Sequence, residues 1–129
     1  MVGEAIPDDL RRFLLASSLS VPHVEAILLM RRDPARAWDG ARLAARLYIA
    51  ERTVGDVLAE LARMRLVAAA GETGKEYRYA PATPELAVLI DRLDETYSKH
   101  LVEVTRLIHS VRDQTAERFA AAFRFREES

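Results

Sequence analysis

The stretch WDGARLAARLYIAERTVGDVLAELARMRLV, residues 38–67, carries the strongest structural signal in the chain. Asp39 suits a helix N-cap, and Trp38 can staple across that cap onto Leu43. Leu43, Ala44 and Leu47 then make the inner face of a short helix, and Tyr48-Ile49 reads as a turn. A further helix is expected from about Ala50 to Met64, with Val54, Val57, Leu58 and Leu61 spaced three and four apart on its buried side. After Leu66 and Val67 the period changes. Val67 to Ala70 and Lys75 to Tyr79 flank Gly71-Glu72-Thr73-Gly74, and Tyr77 and Tyr79 alternate with Glu76 and Arg78. Two glycines in a polar turn between such segments predict a β-hairpin.

Working outward, Ile6 to Ser17 reads as an opening helix, with Pro7, Asp8 and Asp9 in its first turn and Leu10, Phe13 and Leu14 as its stripe. Ser20 suits the N-cap of a second helix that turns Val21, Val24, Ile27 and Leu28 inward and closes before Pro34. Beyond the hairpin, Thr83 caps a helix with Pro84 at its first position. Leu86, Ile90, Leu93, Tyr97, Leu101, Val104, Ile108 and Val111 sustain helical spacing without Gly or Pro. From Glu85 to His109 such a helix would span roughly 37 Å, more than a domain of this size needs to cover its own core. Its outer half is therefore expected to bury Tyr97, Leu101, Val104, Ile108 and Val111 against a second copy. Residues 110–113 offer a break. Thr115 to about Arg126 reads as a terminal helix whose Phe119 and Phe123 pack on the body or on the partner.

The order is helix, short helix, tight turn, helix and hairpin, and its stretch of residues 38–79 resembles the winged helix-turn-helix of MarR-like regulators. In that pattern Leu43-Ala44 and Leu47 anchor the first helix, Ile49 fills the turn, Thr53-Val54 opens the second, and Leu58, Leu61, Leu66 and Val67 close the unit. The resemblance implies a mainly α fold, a three-helix core plus β-hairpin wing with an extended C-terminal dimerisation arm. It divides the chain into an N-terminal helix at 1–19, a winged helix-turn-helix at 20–83 and the arm at 84–129. It also implies that the helix 50–64 enters the DNA major groove and that the wing 67–79 meets the backbone. The candidate DNA-binding residues are then Arg42, Arg46, Arg52, Thr53, Asp56, Arg63, Lys75 and Arg78.

Charge qualifies this expectation. The formal net charge is -1, and residues 1–84 hold 12 Lys+Arg against 11 Asp+Glu. The groove helix sets Arg52 and Arg63 against Glu51, Asp56 and Glu60, and the pattern's usual basic or amide residues are replaced by Gly55, Asp56 and Ala59. Arg65 stands where a glycine is usual. Phosphate neutralisation supplies much of DNA affinity, so the rival expectation is a winged helix used for protein contact without DNA binding.

Other chemistries find little support. Cysteine is absent, which excludes disulfides and thiolate metal sites. His23, His100 and His109 lie far apart, so no metal site is expected. Gly71-Glu72-Thr73-Gly74-Lys75 is not a phosphate-binding loop, and Ser17, Ser18 and Ser20 form no nucleophile elbow. The expectation is a non-enzymatic, cofactor-free, cytoplasmic homodimer with duplex DNA as its partner, without a membrane span or secretory signal.

Overall fold

A computed structural model of the chain describes residues 6–113. It is mainly helical, with one small antiparallel sheet. In chain order the elements are α1 (Asp8–Ser17), α2 (Val21–Arg32), α3 (Gly40–Leu47), α4 (Glu51–Arg63), β1 (Val67–Ala70), β2 (Glu76–Tyr79) and α5 (Pro84–Lys99). A sixth helix, α6, covers residues 101–113. The expected terminal helix, with Phe119 and Phe123, lies outside the described residues. Two compact units divide the chain: residues 21–94 form one, and the described residues 6–20 and 95–113 belong to the other.

In the unit of residues 21–94, α2 is the central helix. His23, Val24, Ala26, Ile27, Leu28 and Met30 are buried around most of its circumference, as a helix touching α3, α4 and β2 requires. Arg31, in its last turn, holds α5 through Asp91 at 2.8 Å and Asp94 at 3.0 Å. That pairing raises the Arg31 pKa, chiefly through the hydrogen bond to Asp91. The caps follow the sequence closely. Asp39 Oδ1 accepts the Arg42 N–H at 2.7 Å, and Thr83 Oγ1 accepts the Leu86 N–H at 3.1 Å.

The sheet pairs Val67 with Tyr79 and Ala70 with Glu76, and Gly71 and Gly74 take φ of 79° and 70° in the turn between them. Lys75 falls in that turn instead of in the strand, and Thr73 Oγ1 accepts its N–H. A third segment joins β2 on its other side. The Trp38 N–H donates to the Tyr77 carbonyl at 2.8 Å, and the Tyr77 N–H donates to the Trp38 carbonyl at 2.9 Å. Periodicity cannot reveal a one-residue bridge, so this pairing is new with the structure. Tyr79 buries its hydroxyl without a hydrogen-bond partner. Burial pushes its pKa up, reinforced by Asp91.

The other unit corrects the expected arm. α5 and α6 are interrupted at His100, although the His100 N–H donates to the Thr96 carbonyl and its own carbonyl accepts the Val104 N–H. Residues 110–113, expected to break the helix, are helical. Val111 is buried there, and Arg112 donates to the Ser18 carbonyl at 3.1 Å, which secures the turn. Val104, Ile108 and Val111 are buried within the single chain, as are Leu10, Leu14 and Leu19 of the same unit. These three arm residues therefore need no second copy to leave water. Leu101 and Val102 stay open, at 51% and 56% exposure, and Tyr97 is half-buried.

Ile108→Ala should cost about 2–5 kcal/mol, with a loss that does not depend on protein concentration in thermal melts; a concentration-dependent loss would assign this residue to a dimer seam. Tyr79→Phe should keep or raise the melting temperature at neutral pH. The raised tyrosine pKa means stability present at neutral pH and lost as pH climbs past the ordinary tyrosine range. The variant should therefore flatten that alkaline decline in a pH series of melts.

Candidate nucleic-acid interface

The candidate interface lies on α3, α4 and the hairpin. Residues 48–50 join the two helices, and the turn is made by Tyr48 in the left-handed region, φ 57°. The Ala44 carbonyl accepts the N–H groups of both Tyr48 and Ile49, which closes the end of α3. α4 begins at Glu51 without a side-chain cap from Ala50. Its orientation instead comes from Val54, Val57, Leu58 and Leu61, all buried. The opposite face is consequently open: Arg52, Thr53, Gly55, Asp56 and Ala59 are exposed, and Arg63 follows near the end.

α4 ends in a Schellman arrangement. The Leu66 N–H donates to the Leu61 carbonyl and the Arg65 N–H to the Ala62 carbonyl, with Arg65 left-handed at φ 62°. A non-glycine residue there is strained by the approach of Cβ to the backbone. Gly55 presents the reverse case, because a Cβ added to it would meet nothing within 4 Å. Packing does not require glycine at that point, so the low relief around Asp56 is a property of the exposed face.

The charges are arranged less unfavourably than their count suggests. Glu60 Oε2 lies 2.7 Å from Nε2 of the buried His23 on α2, and Glu60 Oε1 is 4.0 Å from Arg63. Glu60 counts against the groove helix by formal charge, but the structure ties it to α2. His23 stands four residues before Ile27 on the buried side of α2, which is the sequence signal for this contact. Glu51 occupies the first turn, where the helix dipole favours a carboxylate. Asp56 remains as the outward carboxylate of the middle of α4.

Of the other predicted residues, Arg42 and Arg46 lie on α3, one turn apart and exposed, and Arg42 approaches Asp39 at 3.7 Å. Lys75 is in the hairpin turn, and Arg78 is exposed on β2 opposite Ala68. Arg52, Arg65, Lys75 and Arg78 take part in no ion pair among the described residues. Sequence reasoning missed Arg36, whose guanidinium lies over the Trp38 ring. Arg46 also lines a groove of about 300 Å³ with Val21, Pro22, Glu25, Leu47, Tyr48 and Ile49.

The chain matches no protein-family model, no curated protein and no solved structure. Among the described residues, no group of three or more His, Asp or Glu side chains could hold a metal ion. No described helix is long and apolar enough to cross a membrane.

Arg65→Gly should stabilise the fold by about 1 kcal/mol by relieving the left-handed arginine. Gly55→Ala should add a similar amount, about 1 kcal/mol, through helix propensity. Chemical denaturation reads both, and unchanged midpoints would refute the backbone assignments at these two positions.

Proposed function

We propose that residues 20–83 are a winged helix-turn-helix and that the chain is a homodimeric, DNA-binding transcription regulator. α4 would enter the major groove, and the β1–β2 hairpin would act as the wing on the flanking backbone. The observation that carries this reading is the open face of α4. A helix positioned by four buried aliphatic side chains presents Arg52, Thr53 and Asp56 outward, with low relief at Gly55 and Ala59. Arg52 suits guanine, Asp56 can accept from the cytosine amino group, and the small residues allow close approach. Arg42, Arg46, Arg63, Lys75 and Arg78 supply phosphate contacts. The role is binding, without a catalytic step or cofactor, in the cytoplasm.

The second copy is proposed at Leu101 and Val102, the open apolar pair of α6, with Tyr97 beside them in sequence. One observation favours a different use of the same fold. Tyr48 is 94% exposed and borders a groove whose aliphatic lining, Val21, Pro22, Leu47 and Ile49, is flanked by Glu25 and Arg46, as a protein-docking surface would be.

Duplex DNA should bind the purified chain with an affinity that falls steeply with salt, and Arg52→Glu should abolish it. Fluorescence anisotropy with a pool of duplexes reads both effects. No binding at low salt would end the DNA reading and leave the docking surface. Leu101→Asp should convert a dimer to a monomer in sedimentation, and a wild-type monomer would remove the homodimer.

A further inference from the structure

Trp38 is the chain's single tryptophan, and two guanidinium groups converge on it. The Arg36 guanidinium carbon lies 3.9 Å from the ring centroid and that of Arg46 lies 5.7 Å away. The ring is 1% exposed, its backbone is bonded on both sides to Tyr77, and the next residue caps α3. The platform is therefore rigid, whereas both arginines reach solvent, Arg46 exposed and Arg36 half-buried.

Attraction of each cation to the ring face restricts its side chain. Two like charges gathered on one ring also repel each other, and that repulsion is relieved by a counter-charge. Neither arginine forms an ion pair among the described residues. Arg42, one turn before Arg46 on α3, differs in having Asp39 at 3.7 Å. Arg36 and Arg46 are thus two cations restrained on one buried ring.

We propose that Arg36 and Arg46, held by Trp38, clamp the phosphodiester backbone of duplex DNA at a place separate from the base-facing side of α4. The inference rests on the DNA-binding reading and adds to it a residue, Arg36, outside the helix-turn-helix and the hairpin. Guanidinium groups match phosphate oxygens with paired donors. Because the ring already restricts both side chains, little rotamer freedom is lost when phosphate arrives. The clamp contributes affinity without regard to sequence, which is what a domain with balanced charge needs.

The test measures binding of the full chain to a random-sequence duplex and to a duplex selected for tight binding, between about 50 and 200 mM salt. Substituting Arg36→Gln and Arg46→Gln together should weaken both duplexes by the same factor, roughly tenfold or more at low salt. It should also flatten the plot of log affinity against log salt by roughly 2, and each single variant by roughly 1. Trp38 emission should change saturably when duplex is added to the wild type. Single and double variants that fold, by circular dichroism, yet keep wild-type affinity and slope would overturn the clamp and leave DNA binding standing. If the double variant does not fold, the two singles decide on the same criterion. A wild-type chain that binds neither duplex would overturn the underlying reading and the clamp with it.

Discussion

Two backbone hydrogen bonds between Trp38 and Tyr77 hold together segments that are far apart in sequence. They occupy the free edge of β2, so that strand is paired on both sides at the level of Tyr77. They also fix the residue that precedes the α3 cap, and with it the direction in which α3 leaves. α3 packs on α4, and α4 on β1, so the placement of both helices against the hairpin is tied to one short bridge. The buried Trp38 ring makes that bridge costly to open, because its large apolar surface would be returned to water.

Electrostatics in this unit depends on which charges are committed. Asp91 and Asp94 hold Arg31, Asp39 caps α3, and Glu60 faces His23. Each of these carboxylates is engaged in building the fold. Several arginines have no such engagement, so a near-neutral composition still leaves outward cations on α3, on α4 and in the hairpin. Formal charge per segment therefore underestimates the local field that an approaching polyanion would meet.

Most of the helical order was legible in the sequence. Buried positions spaced three and four apart, the Asp39 and Thr83 caps and the two hairpin glycines each have a local cause, and local causes can be read from sequence. The Trp38–Tyr77 bridge, the His23–Glu60 contact and the Arg36–Trp38–Arg46 cluster join residues through tertiary packing, which leaves no periodic trace. The arm shows the same limit. The stripe through Val104, Ile108 and Val111 announced burial, but against a second copy, whereas these residues are buried within the single chain; an apolar face reads alike whether its neighbour is its own chain or another. Of the candidate interface, sequence identified the exposed arginines individually; which carboxylates share the surface with them depends on tertiary packing.

The ends of α4 are set by main-chain bonds and left-handed turns, at Tyr48 before it and Arg65 after it, and no side-chain cap starts the helix. Its inward face is set by Val54, Val57, Leu58 and Leu61. Nothing that positions this helix resides in Arg52, Thr53, Gly55, Asp56 or Ala59. The outward surface is thus decoupled from the frame that presents it, and mutation can rewrite it one residue at a time. A scaffold of this kind can drift to new recognition properties without first losing its shape.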